Sequence, residues 1–176
     1  MMGKNATASC GAVIAHHQAP LTAVIRELRL AEQRAKNEGN RNAFSITIIK
    51  RSGGALYLTE NWGESLKILI KLRNFLAKKG VSRRAVYHTL QWLNDYELPS
   101  NAIAEGGLVQ SLLTYQLDRQ AEGDAKAQVP DLADDLIKMA QNWSQDRWVS
   151  NLRNFLSVAE FLAREIRSVS SEGAGS

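Results

Sequence analysis

The chain has 176 residues, 44% of them apolar, which is room for one domain or two small ones around a sizeable core. A single cysteine, Cys10, excludes an internal disulfide framework, and no apolar run approaches the ~20 residues of a membrane span, so the expectation is a cytoplasmic protein with no membrane partner. The net charge of +4 hides two opposed parts: residues 1–96 carry 15 Lys and Arg against 6 Asp and Glu, and residues 97–176 carry 7 against 12. A basic first part suits phosphate-rich partners, and an acidic second part suits a basic protein face.

Residues 7–15 are small and β-branched and predict a buried strand. Pro20 fits the first turn of a helix running from Leu21 to about Asn37, with Leu21, Val24, Ile25, Leu28, Ala31 and Ala35 at helical spacing and Gly39-Asn40 as its stop. Residues 43–50 alternate apolar and polar, Arg51-Ser52-Gly53-Gly54 is turn chemistry, and residues 55–59 read as the return strand of a hairpin. The first 60 residues therefore predict β-α-β-β.

After Gly63 the period becomes helical. Helices are predicted over 64–79, 82–96 and 105–120, then from Pro130 to Trp143, and over 147–167. The last carries Trp148, Leu152, Phe155, Leu156, Ala159, Leu162 and Ile166 on one stripe. Residues 121–129 read as a loop, and the Ser/Gly-rich residues 169–176 as a disordered tail. The fold class is α+β: a partial palm or ferredoxin-like β-α-β-β unit over 1–62, followed by an all-α helical bundle over 63–168.

Two stretches of the first part carry a resemblance. Residues 7–21 read Thr-Ala-Ser-Cys-Gly-Ala-Val-Ile-Ala-His-His-Gln-Ala-Pro-Leu, and residues 35–47 read Ala-Lys-Asn-Glu-Gly-Asn-Arg-Asn-Ala-Phe-Ser-Ile-Thr, continuing through Lys50-Arg51-Ser52-Gly53. Together they resemble the second polymerase-type palm domain in the large subunit of type III-B CRISPR RNA-targeting complexes. In that family a strand of the form S-A-G, then I-A-H-x-x-x-P-L, leads into a helix ending A-K-x-x-G-x-x-N, and a strand and K-R-S-G turn follow. Here the strand reads Ser9-Cys10-Gly11, with Cys in the usual Ala place. A similar A-K-x-x-G helix end occurs in nucleotide cyclases that make cyclic dinucleotides. The resemblance covers residues 6–60; the helical part matches the family only in length and pattern.

The resemblance implies a nucleotide site framed by this chain. The lysine matching Lys36 reaches nucleotide phosphates in the resembling cyclases, and Ser9 borders the same site, where it could donate to a phosphate or a ribose. Each also reads as ordinary structure: a solvated lysine favoured by a helix C-terminus, and a small residue for tight sheet–helix packing. The family places a Gly-Gly-Asp-Asp turn on a hairpin before the strand seen here, and those carboxylates hold the divalent metals for nucleotidyl transfer. This chain starts after that point, so the expectation is a fragment or a truncated product, with no catalytic residue and no cofactor of its own. The intact subunit would use ATP with Mg or Mn. Its nearest strings, Glu122-Gly123-Asp124 and Ala133-Asp134-Asp135, fall in the helical part.

Other residues carry weaker signals. Neighbouring His16 and His17 leave a strand on opposite sides and make a poor chelate, and with one Cys and His88 far off no zinc ligand set is visible. Cys10 reads as a buried small hydrophobe. Lys78, Lys79, Arg83 and Arg84 form a basic corner between two helices, suited either to RNA backbone or to a solvated turn. Trp143 or Trp148 could anchor a neighbouring protein. By resemblance the partners are other CRISPR effector subunits, the small helical subunit among them, with guide RNA and target RNA contacted indirectly. The alternative is a free-standing helical protein-binding module.

Overall fold

A computed structural model describes residues 7–95, 98–99, 101–105 and 107–172, with backbone alone for residues 105 and 168–172. The fold is α+β: a three-stranded mixed sheet followed by helices. The chain divides into two compact units, Met1–Leu66 and Lys67–Ser176.

In the first unit β1 (Cys10–Ala15), α1 (Leu21–Asn37), β2 (Ala43–Ile49) and β3 (Ala55–Asn61) follow the predicted β-α-β-β order. β1 pairs parallel with β2, from Cys10 opposite Phe44 to Ala15 opposite Ile49. β2 pairs antiparallel with β3, from Ala43 opposite Asn61 to Ile49 opposite Ala55. A parallel pair needs a crossover, and α1 supplies it. The hairpin turns through residues 50–54, where the Gly53 N–H donates to the Lys50 carbonyl and the Lys50 N–H to the Gly54 carbonyl. Gly53 and Gly54 hold φ of 82° and 80°, a region that side chains with a Cβ rarely adopt.

α1 lies on one face of this sheet and touches all three strands. Ala31 and Ala35 are fully buried. Gly11 lets the helix come close: a Cβ at Gly11 would stand 2.5 Å from the backbone nitrogen of Glu32 and 2.9 Å from the carbonyl carbon of Ala31. The predicted apolar stripe of α1 needs correction. Leu21 is 70% exposed, Leu28 43% and Ile25 41%. Helical spacing says which residues share a side, not how wide a surface exists to cover them. Three strands with β1 at the edge accept only a narrow line, in which half-buried Val24, Glu27 and Arg34 accompany the two alanines.

The second unit begins within α2 (Glu64–Ala77) and continues with α3 (Ala85–Asp95), α4 (Ala102–Glu105), α5 (Gly107–Asp118), α6 (Val129–Ala140) and α7 (Trp148–Glu172). α3 packs on α5 and α7, and α6 packs on α5 and α7. Trp148, Phe155, Leu113, Leu117, Leu136 and Leu152 are fully buried at the centre. The helix predicted over 105–120 is α5, and the short α4 precedes it; residue 106 lies outside the described residues. Residues 121–129, read as a loop from their Gly, Ala and charge, hold a 3-10 helix over Gly123–Gln128. Buried Ala125 and an ion pair of Lys126 with Asp118 at 3.1 Å fix it in place. α7 continues to Glu172, through residues expected to be tail; residues 173–176 lie outside the described residues. Trp148, read as a possible anchor for a neighbour, is only 1% exposed and belongs to the core of its own unit, while half-buried Trp143 stands 6.4 Å from the Phe155 ring.

Candidate functional site

Alternation along β2 sorts the sheet into two unlike faces. Ser45 and Thr47 point to α1, since Arg34 on that helix reaches both. Its Nη2 donates to Thr47 Oγ1 at 2.6 Å and its Nε to Ser45 Oγ at 3.5 Å, and Thr59 Oγ1 donates to Ser45 Oγ at 2.9 Å. The guanidinium carbon lies 4.7 Å from the Tyr57 ring centroid. Ser45 and Thr47 are fully buried, so this hydroxyl and guanidinium cluster is structural wiring between helix and sheet. The opposite face carries buried Phe44, Ile48 and Leu58, with the Phe44 and Trp62 rings 5.2 Å apart.

Lys36 and Ser9 come to the same end of the sheet. α1 runs back over β1, with Glu32 above Gly11, so the C-terminal turn of α1 lies over the start of β1. Ser9 is half-buried and directly precedes β1; Lys36 is exposed in the last turn of α1. Among the described residues no hydrogen bond joins them. Lys36 Nζ instead donates to Glu32 Oε1 at 2.6 Å. Glu32 has its carboxyl held below the ordinary value, chiefly by that hydrogen bond and then by the lysine's charge. Three consecutive non-glycine residues at this end, Asn40, Arg41 and Asn42, hold positive φ of 53°, 55° and 73°. They carry the chain from α1 into β2, and Trp62 pins the same end through its Nε1, which donates to the Ala8 carbonyl at 2.9 Å.

Two local expectations change. Cys10 is exposed rather than buried, because it opens an edge strand. The rings of His16 and His17 face each other 4.2 Å apart instead of diverging, because they lie past the end of β1, where strand alternation no longer applies. His16 Nδ1 accepts the Gln18 N–H at 3.3 Å, a turn contact. Among the described residues no three His, Cys, Asp or Glu side chains stand together to hold a metal. Asp134 and Asp135 are engaged by Lys138 and Lys71, each at 2.6 Å.

The basic corner gains residues that its sequence neighbourhood does not reveal. The turn between α2 and α3 is tied to the segment after α5: the Ser82 N–H donates to the Gln120 carbonyl and the Glu122 N–H to the Gly80 carbonyl, both at 2.8 Å. Arg167, from α7, donates through Nη2 to the carbonyls of Lys78 and Val81, each at 3.3 Å. Arg83, Arg164 and Arg167 then line one cavity of about 280 Å³. Burial, followed by the repulsion of Arg83, lowers the Arg167 guanidinium from its ordinary pKa.

Among the described residues no helix is long and apolar enough to cross a membrane. Compared with protein-family models and with curated proteins, the chain matches none.

Proposed function

We propose that this chain is the C-terminal part of the large subunit of a type III-B CRISPR antiviral effector complex, acting in the cytoplasm. Its first unit frames one side of a nucleotide site, and its second unit docks neighbouring subunits. In this reading the metal-holding carboxylates come from a Gly-Gly-Asp-Asp hairpin outside the chain, with ATP and Mg or Mn bound by the assembled subunit. Lys36 contributes a mobile ammonium to the phosphates and Ser9 a hydroxyl at the start of β1.

The observation that carries this reading is the open side of the first unit. β1 is an edge strand, and beside it α1 keeps Leu21, Ile25 and Leu28 exposed at spacings of four and three. A strand edge with no partner strand among the described residues, next to an apolar helical stripe, suits a unit that works against further chain. The β-α-β-β order, with Lys36 and Ser9 at one end of the sheet, is the arrangement that the resemblance leads one to expect.

The test is reconstitution of the full chain with the small helical subunit of the same complex, followed by size-exclusion chromatography at low and high salt. Co-elution at low salt that weakens at high salt is expected from the acidic second part of the chain. Separate elution at both salts, with the chain folded by circular dichroism, would remove the docking role.

A further inference from the structure

The cavity at the basic corner has a construction of its own. Leu76, Val86 and Ala163 give it an apolar floor, and three guanidiniums with the Ser82 hydroxyl give it a polar rim. One carboxylate, Glu160, shares that rim, which leaves a net charge of +2. α3 begins at Ala85, so the positive end of its dipole lies at the same place. Arg167 is committed by one nitrogen to two carbonyls, which fixes the fork, and among the described residues its other N–H groups make no hydrogen bond. Arg164 rests against Phe161, its guanidinium carbon 5.1 Å from the ring centroid. Arg83 is exposed and makes no hydrogen bond among the described residues.

We propose that this cavity binds a small phosphate monoester with an apolar body, the phosphate held between Arg83 and Arg167 and the body resting on Leu76, Val86 and Ala163. A phosphate monoester carries about −1.5 to −2 charges at neutral pH and offers three acceptor oxygens, which matches the rim in both charge and donor number. A single carboxylate would leave one guanidinium charge uncompensated. A nucleic-acid backbone needs a track of exposed cations rather than a floor of buried aliphatic side chains. Burial first, and then repulsion from Arg83, disfavours the charge on Arg167, and a bound dianion would offset both. The site lies wholly within the second unit and does not depend on the nucleotide site proposed for the first.

The experiment is isothermal titration calorimetry of the full chain at fixed ionic strength, with phenyl phosphate, inorganic phosphate and benzoate as probes. Phenyl phosphate should bind with one site per chain and more tightly than either other probe, because it alone offers both charge and body. Arg83→Gln should weaken phenyl phosphate about tenfold, the equivalent of one charge-assisted hydrogen bond. Arg153→Gln, at an exposed position elsewhere on α7, should change affinity less than about twofold, within the range of a generic surface charge. Absence of saturable phenyl phosphate binding, or equal losses in the two variants, overturns the site. A fourth arm uses a short oligoribonucleotide with and without a 5′-phosphate. If both forms displace phenyl phosphate equally well, the surface reads nucleic-acid backbone and the small-ligand proposal fails.

Discussion

Lys36 Nζ lies 2.6 Å from Glu32 Oε1, one turn back along α1, and both side chains are half exposed to solvent. The pair is therefore screened, and Lys36 can leave it for a phosphate at little cost. Its effect is visible on the acid: Glu32 titrates below its ordinary 4.5. A depressed carboxylate contributes stability above its unfolded pKa, and that contribution is lost as pH falls through the folded value. Lys36→Gln should move the Glu32 midpoint up towards 4.5 in a carboxyl-carbon NMR titration, with no measurable change in global stability at neutral pH. An unmoved midpoint would show that the pair does not form in solution.

At Gly11 the sheet and the backbone of α1 come close together. Gly11→Ala sets a methyl 2.5 Å from backbone, where no side chain can give way. The expected loss is about 3 kcal/mol, the upper range for overpacking, read as a lower urea midpoint at unchanged m-value. A loss under about 0.5 kcal/mol would mean that α1 sits further from β1 than described.

Arg34 and Thr47 should be energetically coupled. Each is joined to the other at 2.6 Å, and the threonine has no solvent to fall back on. Arg34→Met should cost about 1–3 kcal/mol, the range for orphaning a buried hydroxyl. Thr47→Val should cost less in the Arg34→Met background than in the parent chain, and the difference in a double-mutant cycle should reach about 1 kcal/mol. Additive losses would separate the two residues.

Trp148 tests the second unit. At 1% exposure it fills the core, so Trp148→Ala should destabilise the chain by about 3–5 kcal/mol through the cavity it leaves. A variant of unchanged stability would return the residue to the surface and to an anchoring role.

The elements were legible where one local period dominates. The change from alternation in β2 to helical spacing in α2 marks the β-α-β-β part, and Gly53-Gly54 marks its turn. What periodicity cannot convey is the width and place of the partner surface. Leu21, Ile25 and Leu28 carry a proper helical spacing and still face solvent, because the sheet beneath α1 is narrow. Composition failed at 123–128, where buried Ala125 and the Lys126–Asp118 pair hold a helix that Gly and Ala alone do not announce. Lys36 and Ser9 were singled out through motif resemblance alone, and the topology brings them to one end of the sheet. Arg164 and Arg167 were missed because they reach the basic corner from more than 75 residues further along the chain, a distance no local pattern spans.

The most direct test of the functional account is complementation. A type III-B complex from the same source is assembled with a large subunit ending just after its Gly-Gly-Asp-Asp hairpin, and this chain is added in trans with ATP, Mg and target RNA. Cyclic oligoadenylate should form with the added chain, fall strongly with Lys36→Ala although the chain still co-purifies, and be absent from the chain incubated alone, since nucleotidyl transfer needs the hairpin's metals. A chain that stays folded, neither joins the complex nor restores product, and leaves ATP untouched in every combination would contradict the account.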